Sequence, residues 1–97
     1  MSGNILQYSE CLRIYEVEET FIASLEEVGL IRVVDLDDDR FIEYEDLSDL
    51  EQFIRWYYEM DINVGGIDAL HHMLQRVRSL QSEIAQLRHE LQFYKSL

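Results

Sequence analysis

Ninety-seven residues carry 20 Asp and Glu against 8 Lys and Arg, a formal charge of −12 at neutral pH. That sign excludes nucleic acid and anionic membrane as electrostatically favoured partners, and it steers basic proteins toward the chain. One cysteine excludes an internal disulfide, and no apolar run reaches the roughly 20 residues that a membrane-crossing helix needs.

The charge is unevenly placed. Residues 1–66 hold 17 acids and 4 Arg, whereas residues 67–97 hold 3 acids and 4 bases. An acidic head is therefore followed by a nearly neutral tail, and we divide the chain at that point into 1–66 and 67–97. The opening MSGNILQYSE has no basic stretch followed by an apolar one, which argues against a signal peptide and for a soluble cytoplasmic chain. Absence of Pro and only four Gly favour helices. Cys11, set among apolar residues, reads as a core residue rather than a catalytic thiol.

Asn4 to Tyr8 reads as a brief strand or lead-in. Ser9 is placed to cap a first short helix, whose apolar face is Cys11, Leu12 and Tyr15; Val17 marks the turn after it. A second helix is expected from about Glu18. Its stripe is Phe21, Ile22, Leu25 and Val28, with Glu19, Ala23, Glu26 and Glu27 outward. Gly29 has the character of a left-handed residue closing the helix, with Leu30 folding back.

Ile31–Val34 is rich in β-branched residues and reads as a strand, Asp37-Asp38-Asp39 as a turn, and Arg40–Tyr44 as the return strand. The acids of Asp35–Asp46 also fall at several positions of a calcium loop. Arg40 stands where that loop requires glycine, however, and Asp46 is one methylene shorter than the expected Glu, so the hairpin reading is preferred. Asp46 is the expected cap of a third helix carrying Leu47, Leu50, Phe53 and Ile54, then Trp56 or Tyr57. Asn63 is the expected cap of a fourth.

From Ile67 onward nothing breaks the pattern. Leu70, Met73, Val77, Leu80, Ile84, Leu87, Leu91 and Tyr94 follow steps of three and four, a heptad seam. It suits a two-stranded homodimer in which Glu83 with Arg88, and Glu90 with Lys95, would pair between parallel chains; a helix folded back on its own head is the other reading. His71 and His72 are adjacent, not four apart, and so are not spaced as metal ligands. With no nucleophile elbow, phosphate loop or dinucleotide glycine motif, the chain is expected to be no enzyme and to need no metal or cofactor.

The order helix, turn, helix, Gly-Leu, hairpin, helix, long helix resembles the winged helix-turn-helix of MerR-type regulators. The matching pieces are Val28-Gly29-Leu30-Ile31, Arg40–Tyr44, Glu45-Asp46-Leu47 through Phe53-Ile54, and Asp61–Ile67. The resemblance implies a mainly α fold: a MerR-like winged helix-turn-helix with a small β-hairpin wing and a long C-terminal helix. The second helix then lies where such a domain reads DNA. MerR regulators carry an Arg-Tyr-Tyr step in that helix, whereas this chain has Ala23, Ser24 and Leu25, with Glu27 following.

In length and in this departure the chain is similar to the family of the chaperone modulatory protein CbpM. That resemblance implies inhibition of a DnaJ-like (CbpA-like) co-chaperone, by binding its J domain and keeping it from DnaK. Charge and expected exposure nominate Glu18, Glu19, Glu26, Glu27, Asp37, Asp38 and Asp39 as the partner-binding residues. Reversing Glu26 and Glu27 together should weaken binding several-fold. The alternative is a MerR-like DNA-binding transcription regulator, which would have only Arg32 and Arg40 to offer to phosphates.

Overall fold

The computed structural model describes residues 4–97; the first three residues of the acidic head lie outside it. The elements are β1 (Ile5–Gln7), α1 (Tyr8–Tyr15), α2 (Glu19–Glu27), β2 (Val33–Leu36), β3 (Asp39–Glu43), a 3₁₀ turn (Tyr44–Asp46), α3 (Leu47–Ile54) continued by one π turn (Arg55–Glu59), and α4 (Val64–Lys95). The fold is mainly α with a small antiparallel sheet, as a MerR-like winged helix-turn-helix requires.

The sheet order is β1-β3-β2. The lead-in is thus a true strand: it adds to the wing by pairing Ile5 with Glu43 and Gln7 with Phe41. That pairing holds the backbone extended through Gln7, so α1 starts at Tyr8, earlier than expected. Ser9 lies inside the helix and caps nothing. α1 ends where Glu16 adopts a left-handed conformation, φ 54°.

α2 begins at Glu19, with Glu18 extended at the cap position. It ends in a Schellman motif. The Leu30 amide donates to the Leu25 carbonyl at 2.9 Å, the Gly29 amide to the Glu26 carbonyl at 3.0 Å, and Gly29 has φ +82°. Phe21, Ile22 and Leu25 are buried as expected, but Val28 is 43% exposed. The helix has already stopped there, and the reversal at Gly29 sends Ile31 into the core instead.

Both wing strands are shifted from the predicted spans. Val33 pairs with Ile42 and Leu36 with Asp39, which leaves a two-residue turn at Asp37-Asp38. Both turn residues have positive φ, 50° and 63°. This is the left-handed turn that matches strand twist, built without glycine because a short carboxylate side chain tolerates it. Tyr44 leaves the strand for the 3₁₀ turn. Asp46 makes no cap to α3; its carboxylate is held by Arg32 instead.

The core gathers Tyr8, Cys11, Val17, Phe21, Ile22, Leu25, Ile31, Ile42, Leu50, Phe53, Trp56 and Ile67 from every helix and from the wing. Trp56, not Tyr57, continues the buried face of α3. Asn63 caps α4 as expected, its Oδ1 accepting the Gly66 amide at 2.7 Å. Ile67 is buried, and Leu70 and Leu74 pack on the core, so the first turns of α4 belong physically to the head. Beyond Leu74 every residue is exposed. The helix projects as an arm from a molecule 61 Å long, and does not fold back. Of the seam residues, Leu70 packs on the head, whereas Met73, Val77, Leu80, Ile84, Leu87, Leu91 and Tyr94 stand open. None of the described helices is long and apolar enough to cross a membrane.

Candidate functional site

The helix-turn-helix exposes one side of α2. Glu19, Ala23, Glu26 and Glu27 follow a spacing of four, three and one, which places them on a single stripe. Burial of Phe21, Ile22 and Leu25 turns that stripe outward. Glu18, Glu19 and Glu27 are exposed, as are Asp37, Asp38 and Asp39 on the wing. The seven residues nominated from the sequence thus lie at the surface, but they are not equivalent.

Glu26 is engaged. Its Oε1 accepts from the Arg40 guanidinium at 2.8 Å, a bridge from α2 to β3. Arg40 also lies 3.8 Å from Asp35 and over the Tyr8 ring, 4.6 Å from its centroid. The hydrogen bond that Arg40 donates to Glu26 holds the Arg40 pKa above its ordinary value, and burial raises that of Tyr8. Asp39 accepts from the Gln7 side-chain amide and from the Arg40 backbone amide. Glu18, Glu19, Glu27, Asp37 and Asp38 enter no ion pair among the described residues.

The head's cations are mostly spoken for. The Arg32 guanidinium meets Glu43 at 3.2 Å, Asp46 at 3.3 Å and Glu45. The hydrogen bonds that Arg32 donates to Asp46 and Glu45 raise its pKa, and Arg32 in turn holds the Glu45 carboxyl below the usual range. Arg13 pairs with Glu10 at 2.6 Å. Arg32 and Arg40 are the two groups a DNA-reading surface would have needed, and both are neutralised by carboxylates. No sequence pattern announced these pairs, since Glu43, Glu45 and Asp46 lie 11 to 14 residues from Arg32 and Glu26 lies 14 from Arg40.

Cys11 is fully buried, and burial pushes its thiol up to about 11, so it is protonated and out of reach. His72 Nδ1 lies 2.8 Å from the Asp68 carbonyl oxygen and 3.1 Å from its carboxylate, while His71 sits edge-on to Phe53. No cluster of three metal-ligating side chains occurs among the described residues. An open depression of about 490 Å³ is lined by Asn4, Glu43, Tyr44 and Glu45, but its two carboxylates already face Arg32.

Comparison with known families returns a match to the MerR helix-turn-helix family of regulatory proteins over residues 6–89. The chain belongs to this family. The match runs from β1 through most of the arm, so head and arm together are the family unit. No curated protein and no solved structure matches the chain. The matched span includes α2 and the wing, whose exposed charged side chains in this chain are mostly carboxylates.

Proposed function

We propose that this MerR-type protein is a non-enzymatic regulator that binds a basic protein surface, and that its target is the J domain of a DnaJ-like (CbpA-like) co-chaperone. Occupying that domain would block its engagement of DnaK. The observation that carries the reading is the state of Arg32 and Arg40. Nucleic acid would have to break their carboxylate pairs before either could meet a phosphate, while Glu18, Glu19 and Glu27 repelled the backbone. A cationic protein needs no such rearrangement. Exposed carboxylates steer it in and set selectivity, and a few apolar contacts hold it.

The arm serves a second role in this reading. Its open seam from Met73 to Tyr94 is about 33 Å long at 1.5 Å per residue, and it pairs with a second copy of the chain. Calorimetric titration of the J domain into the purified protein tests the main claim, together with J-domain-stimulated DnaK ATPase. Saturable binding that weakens with salt, and loss of the stimulation, are expected. The family match favours the rival reading of a DNA-binding regulator. Specific retardation of duplex DNA in a gel shift, with no response to the J domain, would establish that reading instead.

A further inference from the structure

The π turn that ends α3 builds a surface that the core does not use. Its wider winding puts Trp56 inside and leaves Tyr57 and Tyr58 outside, 36% and 45% exposed, followed by Met60 at 60%. The tyrosines are held in place. Tyr57 stacks on buried Phe21 of α2 with centroids 4.3 Å apart, and Tyr58 meets both rings edge-on, at 5.4 and 4.9 Å. The Tyr58 hydroxyl accepts the Glu18 amide at 3.1 Å, which ties the patch to the first turn of α2. Such rings lose little freedom when a partner arrives, which is the property of an anchor. π turns recur at functional sites for the same reason: they re-aim side chains at a cost that an ordinary helix avoids.

The surroundings give the occupant its charge. Glu18 adjoins Tyr58, and Glu59 and Asp61 flank Met60 in the chain; all three are exposed. Arg55 is the one cation of the π turn. Aromatic faces beside carboxylates attract a guanidinium twice, through the ring quadrupole and through charge. The carboxylates repel a phosphate. We propose that Tyr57, Tyr58 and Met60 form the apolar anchor of the acidic face and receive an arginine-bearing helix of a basic protein. The guanidinium lies against the exposed tyrosines, and an apolar neighbour on the same helix covers Met60. The inference rests on the acidic-face reading for the sign of its partner, and adds to it the place where binding energy is concentrated.

The test uses the full chain and a defined probe: a short alanine-based helical peptide with paired arginines and a leucine on one face, against the same peptide with citrulline for arginine. Binding is followed at low salt by Trp56 emission and by tyrosine ring resonances. The arginine peptide should shift the Tyr57 and Tyr58 resonances, and the citrulline peptide should bind about tenfold more weakly. Tyr57→Ala should weaken the arginine peptide about tenfold, while Tyr57→Phe keeps most of its affinity. Met60→Lys, at an exposed site with no packing role to lose, should abolish binding even if Tyr57→Ala disturbs the fold. Equal affinity for both peptides, unchanged binding by Met60→Lys, no binding by the wild type, or shifts confined to the α4 seam would each overturn the proposal. Repeating the variants with the J domain separates the two claims. A J domain that binds the wild type but is indifferent to Tyr57→Ala and Met60→Lys overturns the anchor and leaves the acidic-face reading standing. A chain that ignores the J domain yet binds the arginine peptide at the patch supports the anchor and removes the co-chaperone.

Discussion

The head and the arm are written in the same hydrophobic code and use it for opposite ends. In α2 and α3, apolar residues three and four apart close a core in which Ile22, Leu25, Leu50 and Phe53 are buried. In α4 the same spacing continues from Val77 to Tyr94 and stays at the surface, at 45% to 71% exposure for those two residues. The charge divides likewise, with the head at 17 acids to 4 bases and the tail balanced. A repeat of apolar residues specifies that a face must be covered. What covers it depends on whether the chain returns to that place, and after Leu74 it does not.

The largest effect should come from the head. Phe53→Ala removes a fully buried ring and should cost about 3–5 kcal/mol in urea unfolding, close to the whole stability of so small a domain. Leu87→Ala in the arm should change head unfolding by less than about 0.5 kcal/mol. In sedimentation the same change should raise the dimer dissociation constant about tenfold or more. Equal losses of head stability from both substitutions would erase the distinction between the two regions.

Gly29→Ala probes the turn that presents α2. A methyl group there meets nothing within 4 Å, so the cost is that of the left-handed backbone alone, about 1–2 kcal/mol by thermal or urea unfolding. The corresponding change in the arm, Ser79→Ala on an exposed helical site, should be neutral or slightly stabilising.

Charge reversal sharpens the contrast in function. The pair first suggested by the sequence, Glu26 with Glu27, also breaks the bridge to Arg40. Glu19→Lys with Glu27→Lys leaves that bridge intact and tests the exposed face alone. It should weaken J-domain binding about fivefold, mainly through the association rate measured by stopped flow, whereas Glu83→Lys in the arm should leave that rate almost unchanged.

At neutral pH the last prediction has no effect at all. Burial moves the Cys11 thiol from 9.0 to about 11. Burial and the hydrogen bond to Glu51 move the Tyr15 hydroxyl from 10.0 to about 12. Both groups lose their protons sooner in the unfolded chain, so their stabilisation is complete below pH 9 and falls as pH rises toward 12. Unfolding midpoints taken from pH 8 to 11.5 should decline, and Cys11→Ala should remove the portion between 9 and 11. A flat profile would contradict the burial assigned to both groups.

Much of this was legible in the chain. Gly29 and Leu30 closed the second helix as read, and Asn63 capped the fourth, because both signals act within a few residues. Misplaced features were those decided at a distance. Pairing of β1 with β3 overrode Ser9, and Arg32 drew Asp46 away from α3. The nominated surface was legible as charge, since carboxylates on a helix opposite its apolar stripe must face solvent. That Glu26 would be taken by Arg40, and that Tyr57 and Tyr58 would gather on Phe21, depended on contacts across the fold that no local pattern encodes.

The central claim is that the reading helix and wing serve a cationic protein and not a nucleic-acid backbone. It is tested most directly by fluorescence anisotropy with a labelled J domain, challenged in one titration by excess duplex DNA from the chain's own promoter region. The account predicts saturable J-domain binding that the DNA does not displace even at low salt. Displacement by one DNA sequence and not by its scrambled form, at physiological ionic strength, would contradict it.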